Sequence, residues 1–226
     1  MSVPKSCTKR IPWNSTPSRL LEGAERSLLS HGYKGSSVRR IADEAGVNAA
    51  SINYHFGTKR EMFAELFRQR FQPVAQCRGE LLKGVEADAS VSVAAIVQAY
   101  FGTLFRYCES AGQKTASVIW MLLNGEPEVS QLASECMGGE HADLTRRYVR
   151  ILARAIPGVP EMELEWRLEV MERFALCVIA GPNVGWVARA SDPPDAGGTR
   201  SPLSVAEGLV GIIQACIQAP HATRLP

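Results

Sequence analysis

The residues of this sequence that are best placed to contact a partner lie between Ser37 and Lys59. Two helix-length stretches meet there across the three-residue turn Gly46-Val47-Asn48. Gly46 suits the left-handed backbone that ends a helix, and Ala42 is small enough to let the second stretch approach closely. A turn this short between two helices is typical of a helix-turn-helix, whose second helix lies in the major groove of DNA. The pattern therefore predicts that this segment contacts double-stranded DNA.

The second helix of this unit sorts its side chains by their helical spacing. Ile52 and Phe56 are one turn apart and must face inward, which turns Ala50 outward. Short side chains at Ala50 and Ser51 allow close approach to base edges, and Asn53 can pair with an adenine edge or a phosphate. Other residues of the segment are suited to phosphate contacts: Ser37, Arg39, Arg40, Tyr54, His55 and Lys59.

Each of these residues taken alone also fits a structural role, with Tyr54 and His55 as packing residues and the arginines on a solvated face. Their joint occurrence with the Gly46 turn favours DNA contact. The charge distribution agrees, because residues 1–71 hold 12 Lys and Arg against 6 Asp and Glu, whereas the remainder holds 13 against 17. A basic first third on a chain of net charge +2 favours a polyanion partner for that part.

The bulk composition fits a globular protein. Hydrophobic residues make up 46% of the 226 residues and charged residues 21%, which excludes general disorder. No apolar run reaches the roughly 18 residues that span a bilayer, and the first residues lack the apolar segment of a secretory signal. We therefore expect a cytoplasmic protein without a membrane partner. The six cysteines form no CxxC and no zinc or disulfide pattern, so we expect no metal or other cofactor.

Hydrophobic periodicity predicts an all-α fold. Apolar residues recur at helical spacing, and no alternating strand pattern is found. Start and stop signals delimit about nine helices, at 16–32, 37–45, 48–56, 58–83, 91–110, 115–124, 128–155, 161–189 and 203–218. We divide the chain into a three-helix DNA-binding domain, residues 1–71, and a larger helical domain, residues 72–226. The helix that begins at Thr58 belongs to both.

The run SSVRRIADEAGVNAASINYHFGTKREMF resembles the DNA-binding domain of the TetR family of bacterial repressors, and the resemblance covers about residues 16–71. It implies that the residues facing bases are Ala49, Ala50, Ser51 and Asn53. It also implies phosphate contacts at Ser37, Arg39, Tyr54, His55 and Lys59. The family usually has tyrosine where this chain has Asn53, so a common phosphate contact is missing there or has become a base contact.

For residues 72–226 the resemblance implies an effector-binding pocket among the middle helices. The stretches NYHFGTK and ELEWRLEVM are similar to regulators that respond to fatty acids or acyl groups, so we expect a small apolar effector such as a fatty acid or acyl derivative. The candidate ligand contacts are aromatic residues and methionines at helical spacing, which also fit a plain core: Tyr100, Phe101, Phe105, Trp120, Met121, Trp166, Met171 and Phe174.

The last two predicted helices are more apolar than lone surface helices should be. Two such helices from each subunit could form a symmetric four-helix interface, as the resemblance also implies. The alternative is that they cover their own core. The candidate interface residues of a homodimer are Phe174, Val178, Ile179, Leu209, Ile212, Ile213 and Ile217.

Two other classes of function fit the sequence less well. The first is an enzyme domain behind the helix-turn-helix, which the scarcity of histidine beyond residue 71 and the lack of a nucleophile elbow or a phosphate-binding glycine loop disfavour. The second is an architectural DNA-binding protein without an effector, which would be basic throughout. We therefore predict a sequence-specific transcriptional regulator without enzymatic activity, a repressor that a small effector releases from a palindromic operator.

Overall fold

The chain is helical throughout the part that the structure describes. The structure is a computed structural model that describes residues 15–180 and 202–220. Those ranges contain ten α-helices and no strand, so the predicted all-α class is confirmed. The helices are α1 (Thr16–Gly35), α2 (Val38–Ala45), α3 (Ala50–Phe56), α4 (Lys59–Ala87), α5 (Val93–Ala111), α6 (Gln113–Asn124), α7 (Pro127–Met137), α8 (Glu140–Ala155), α9 (Glu161–Ala180) and α10 (Pro202–Gln218).

The structure divides one predicted helix into two. The prediction of a single helix over 128–155 is wrong, because α7 ends at Met137 and α8 begins at Glu140. Gly138 has an extended backbone with ψ 171°, and Gly139 has φ 66°. Glycine adopts such a positive φ without a steric penalty, so the Gly138-Gly139 pair supplies the break. The predicted continuation of α9 to residue 189 lies outside the described residues.

Helices α1, α2 and α3, the helix-turn-helix unit, pack on one another through apolar side chains. Leu20, Ile41 and Ile52 are fully buried there. Gly46 takes φ 64° and ψ 39°, and its N–H donates back to the carbonyl groups of α2. A residue with a Cβ would be strained in this conformation, so glycine at this position sets the angle at which α3 leaves α2.

Helix α4 is the longest of the described helices and extends from the helix-turn-helix unit into the larger domain. Thr58 is its N-cap: its Oγ1 accepts from the N–H of Glu61 at 3.1 Å and its hydroxyl donates to the Glu61 carboxylate at 2.8 Å. Its 29 residues correspond to a length of about 44 Å. Pro73 stands in the middle of the helix.

Two apolar cores succeed one another along α4. The first core joins the helix-turn-helix unit and the first half of α4 to α6 and α7, with Leu104 and Cys108 added from α5 and Leu176 from α9. The second joins the rest of α4 to α5, α8, α9 and α10. The change from one core to the other falls between Val74 and Cys77. The predicted domain boundary near residue 71 lies close to this change and remains a prediction.

The packing of α1 on α2 leaves no room for a side chain at Gly23. A Cβ built there would lie 2.7 Å from the carbonyl oxygen of Ile41 and 3.0 Å from the backbone nitrogen of Ala45. We expect Gly23→Ala to lower the free energy of unfolding by about 1–3 kcal/mol, because the backbone of α2 must move. Gly79→Ala on α4 is the matched control, since nothing lies within 4 Å of its Cβ position. There alanine should raise stability by up to about 1 kcal/mol.

Urea unfolding measures both variants. Effects of the same sign in Gly23→Ala and Gly79→Ala would contradict the close packing of α1 on α2.

Candidate functional site

The outer face of α3 carries the side chains that the sequence assigns to base and phosphate contacts. Ile52 is fully buried, whereas Tyr54 is 83% exposed. α3 has only seven residues, so its orientation depends on the packing of Ile52 and Phe56 against the first core. The other candidates on and beside this helix are half-buried or exposed: Ala49, Ala50, Ser51, Asn53 and His55.

The start of α2 presents Ser37, Arg39 and Arg40 to solvent. Ser37 is also the N-cap of α2, since its Oγ accepts from the N–H of Arg40 at 3.2 Å. Arg40 Nη1 lies 2.9 Å from Nε2 of His31 on α1. The two guanidinium groups thus stand beside a helix N-terminus, an arrangement that suits a phosphate.

Lys59, a predicted phosphate contact, is tied to the end of α1. Its Nζ donates to the carbonyl oxygen of Tyr33 at 2.6 Å and lies 4.0 Å from the centroid of the Tyr33 ring. Burial lowers the pKa of Lys59 below its ordinary value. An ammonium group has three N–H donors, so two remain for a phosphate. The structural role of Lys59 was missed in the sequence, because its partner lies 26 positions away and is a backbone carbonyl.

A cavity of about 200 Å³, which we call the central cavity, lies in the larger domain among α5, α6, α7, α8 and α9. Its polar lining residues are Tyr100, Ser134, His141, Thr145, Glu165, Glu169, Glu172 and Arg173, and its apolar ones are Leu123, Met137 and Ala142. Of the eight residues predicted to contact a ligand, Tyr100 alone lines this cavity.

The other seven predicted ligand contacts lie elsewhere. Phe101 and Phe105 are buried in the second core, and Met171 packs against it. Trp120 and Met121 pack against the first core. Trp166 and Phe174 are exposed, by 61% and 41%. Aromatic spacing alone could not separate a residue that fills a core from one that lines a cavity.

A buried ion pair lies at the floor of the central cavity, which Glu172 lines and behind which Arg78 lies. Arg78 of α4 and Glu172 of α9 are 2.7 Å apart, and both side chains are buried. Arg78 Nε donates to the carbonyl oxygen of Tyr100 at 2.8 Å, and the Tyr100 hydroxyl donates to Glu172 at 3.3 Å. Burial disfavours the charged form of Glu172, but the charges of Arg78 and His141 outweigh it and keep the pKa of Glu172 below its ordinary value.

Neither member of this pair was predicted from the sequence. A signal was present, because Arg78 is in phase with Phe71, Val74 and Val85 on the apolar face of α4. A charged residue in that position requires a buried partner. The identity of Glu172, 94 positions further along the chain, required the fold.

Helix α7 lines the central cavity with Ser134 and Met137 and also packs against α4. Glu126, just before α7, accepts from the backbone N–H of Lys34 at 3.0 Å. Glu135 on α7 forms an ion pair with Arg60 in the first turn of α4. This hydrogen-bonded pairing raises the pKa of Arg60 and lowers that of Glu135.

The structure separates the predicted interface residues into two groups. Leu209, Ile213 and Ile217 of α10 and Val178 of α9 are buried in the second core of their own chain. Little of the surface of these four side chains is exposed in a single chain, and their part in a dimer interface stays a prediction. Three candidates keep accessible surface: Phe174, which is exposed by 41%, Ile212, which is exposed by 52%, and the half-buried Ile179.

Within residues 15–180 and 202–220, no group of three or more His, Cys, Asp or Glu side chains is arranged to hold a metal ion. No helix in these ranges has both the length and the apolar character needed to cross a membrane.

The central cavity makes stability depend on pH through His141. Burial lowers the pKa of His141 below its ordinary value of 6.5, the nearby Arg78 adds to this, and Glu172 opposes it. As the pH falls through about 6.5, an unfolded chain takes up a proton that the folded protein resists, so stability declines with decreasing pH. We expect His141→Gln to reduce this decline, measured by urea unfolding between about pH 7.5 and 5.5. His55→Gln is the exposed control, and an unchanged slope in His141→Gln would contradict the assignment.

Two family models match this chain. The model for bacterial regulatory proteins of the tetR family matches residues 20–66, and the model for the tetracyclin repressor-like C-terminal domain matches residues 98–196. Together the two matches cover more than half of the chain. The first match contains α2, α3 and the start of α4, and the second contains most of the helices that line the central cavity.

Similar sequences are found among transcriptional repressors. The repressor AcnR of Corynebacterium glutamicum is 38% identical over 82 residues, which are 34% of this chain and 43% of AcnR. The repressor KstR2 of Mycobacterium tuberculosis is 42% identical over 55 residues, 24% of this chain and 28% of KstR2. The chain thus spans less than half the length of these relatives.

The fold extends the likeness to nearly the whole chain. The regulator FadR of Bacillus subtilis, solved in complex with stearoyl-CoA, superposes with a TM-score of 0.57 at 14% identity, over 88% of this chain and 97% of FadR. The structure of KstR2 of Mycobacterium tuberculosis gives 0.51 at 19% identity, over 93% of this chain and 97% of KstR2. These likenesses show the fold. With both family models matched in chain order, the protein belongs to the TetR family of bacterial regulators.

Proposed function

We propose that this protein is a dimeric, sequence-specific DNA-binding transcriptional repressor that a small effector releases from its operator. The observation that carries the proposal is the α3 surface: Tyr54 and Asn53 are exposed on a helix that Ile52 anchors to the first core. A helix held in this way can enter the major groove while its position relative to α2 stays fixed.

In the proposed complex, α3 reads bases with Ala49, Ala50, Ser51 and Asn53. Arg39 and Arg40 bind phosphates at the start of α2. Lys59 donates to a phosphate with the N–H groups that are not bonded to the Tyr33 carbonyl oxygen. Phosphate contacts of this kind supply affinity and register, whereas base contacts supply sequence preference. The basic excess in residues 1–71 supports this division.

The proposed dimer uses the exposed sides of α9 and α10. These two helices pack on each other, and they leave Trp166, Phe174 and Ile212 exposed. Large apolar side chains gathered on neighbouring helices support a contact with a second copy of the chain. A two-fold dimer of this kind presents two α3 helices to one face of DNA.

The proposed effector binds in the central cavity. Helix α7 joins this cavity to α1 and α4 through Glu126 and Glu135, so a bound molecule can bias the position of the helix-turn-helix unit. A hundredfold weakening of operator binding requires about 2.7 kcal/mol of differential affinity between the two states. An acyl derivative, as predicted from the sequence, is one effector class to test.

The first test concerns assembly and the shape of the operator. We expect a dimer that protects one inverted repeat, with half-sites about one helical turn or roughly 34–36 Å apart. Ile212→Glu should shift the protein toward monomer, because it places a charge on an apolar contact, whereas the exposed Lys83→Glu should not. Sedimentation velocity and footprinting measure these outcomes. A monomer on specific DNA, or uniform coating without a discrete site, would count against the proposal.

The second test separates base from phosphate contacts. We expect Arg39→Ala to weaken binding to all DNA and to lower the slope of log affinity against log salt by about one unit. Asn53→Ala should change the preferred base at one position of each half-site, at a cost of about 1–3 kcal/mol on the preferred sequence. Equal losses on operator and random DNA for both variants would show that this assignment is wrong.

A further inference from the structure

We propose that the central cavity binds a small organic cation, whose protonated amine is held by Glu165, Glu169 and Glu172. The apolar body of the ligand would rest on Leu123 and Met137. The inference concerns the chemical class of the effector, and its link to DNA release rests on the proposed function. It departs from the apolar effector expected from the sequence, because most of the aromatic residues behind that expectation do not line this cavity.

The three carboxylates form one row that leads into the central cavity. Glu165, Glu169 and Glu172 are separated by four and three residues on α9, which places them on one face of the helix. Glu165 and Glu169 are exposed, whereas Glu172 is only 4% exposed and lies at the inner end. A cation entering along this row meets a carboxylate at each step from solvent to the cavity floor.

The charges around the cavity favour a cation over an anion. The lining contains three carboxylates and one guanidinium, that of Arg173. Arg173 is already paired with Glu169 at 3.0 Å, and Arg78 behind the floor is paired with Glu172. Glu165 is therefore left as the carboxylate that neither arginine neutralises. A ligand carboxylate placed here would be repelled, whereas an ammonium group would be attracted.

One buried nitrogen in the lining lacks a hydrogen-bond partner among the described residues, Nδ1 of His141. In the tautomer that carries its proton on Nε2, this atom accepts a hydrogen bond from a ligand N–H. Glu172 supplies further acceptors at the inner end of the row, where Oε1 is paired with Arg78 Nη2 at 2.7 Å and Oε2 accepts from the Tyr100 hydroxyl. Each carboxylate oxygen has two lone pairs, so a primary ammonium with three N–H donors can bond to both residues at once.

The size of the cavity limits the ligand further. Its volume of about 200 Å³ is below the roughly 300–1,000 Å³ that is common for ligand pockets. The ligand is therefore a compact amine with a short apolar body. The side chains of Leu123, Met137 and Ala142 supply the complementary apolar surface.

The carboxylate of Glu172 also connects the ligand to α4. Glu172 is the buried partner of Arg78, so an ammonium that bonds to Glu172 competes with Arg78 for its charge. Arg78 lies on α4, and the first residue of this helix, Lys59, belongs to the proposed DNA-binding surface. A ligand of this class thus acts on α4 directly, in addition to its contact with α7.

The experiment compares three probes of similar shape and different charge on the purified full chain. Phenethylamine, 2-phenylethanol and phenylacetate are titrated by calorimetry at about pH 7, where the amine is protonated. We expect phenethylamine to bind at least about tenfold more tightly than 2-phenylethanol, and phenylacetate to bind most weakly. Equal binding of amine and alcohol, tighter binding of phenylacetate, or no detectable binding of phenethylamine would overturn the proposal.

Variants locate the site. Glu165→Gln removes an exposed carboxylate, so the fold should survive; we expect it to weaken phenethylamine binding severalfold and to leave 2-phenylethanol unchanged. Glu161→Gln, on the same helix but outside the cavity lining, is the control and should keep the wild-type preference. Loss of amine preference in both variants, or in neither, would contradict the assignment. Glu172→Gln leaves Arg78 without its partner and is interpreted only when circular dichroism and the melting curve match the wild type.

Operator affinity, measured with and without phenethylamine, separates this inference from the proposed function. Calorimetric binding of the amine together with weaker operator binding supports both. Binding of the amine without any change in operator affinity supports the cation site and contradicts the proposed regulation.

Discussion

The ion pair between Arg78 and Glu172 is the interaction on which the arrangement of the larger domain depends. Removing one partner would leave the other charge uncompensated in the interior, at a cost of about 3–5 kcal/mol, whereas replacing both by apolar residues can be neutral. The pair therefore adds little net stability. Its geometric effect is local: Arg78 bonds to the Tyr100 carbonyl group and Glu172 accepts from the Tyr100 hydroxyl, so the pair and Tyr100 hold one another beside the central cavity.

The ion pairs that Glu135 and Glu126 form with Arg60 and Lys34 are weaker than this buried pair. Arg60 and Glu135 are half exposed, and pairs of this kind contribute about 0–1 kcal/mol. Lys34 and Glu126 meet near the surface as well. Exposed pairs can separate and form again at small cost, whereas the buried pair cannot. The attachment of the helix-turn-helix unit therefore depends mainly on the first core, which it shares with α6 and α7, and the exposed pairs add little to it.

Local sequence signals predicted most of the fold and the exposed face of α3. Helical spacing separated Ile52 from Tyr54, and the Thr58 N-cap marked the start of α4, because both signals act within a few residues. The helix break at Gly138-Gly139 was missed because the surrounding residues keep an amphipathic pattern. The cavity lining could not be predicted, since it depends on which of several apolar faces meet. Arg78 shows the limit: its buried position was readable, but its partner was not.

Pro73 gives α4 an uneven stiffness along its length. Proline has no N–H to donate to the carbonyl group of Gln69, so one rung of the hydrogen-bond ladder is missing where the first core gives way to the second. Bending is cheapest at such a point. Lys59 lies about 21 Å from it, so a bend of about 10° displaces that end of the helix by about 4 Å. That displacement is about a third of the roughly 12 Å width of the DNA major groove. A small deformation at the middle of one helix is thereby enlarged to the scale on which DNA is recognised.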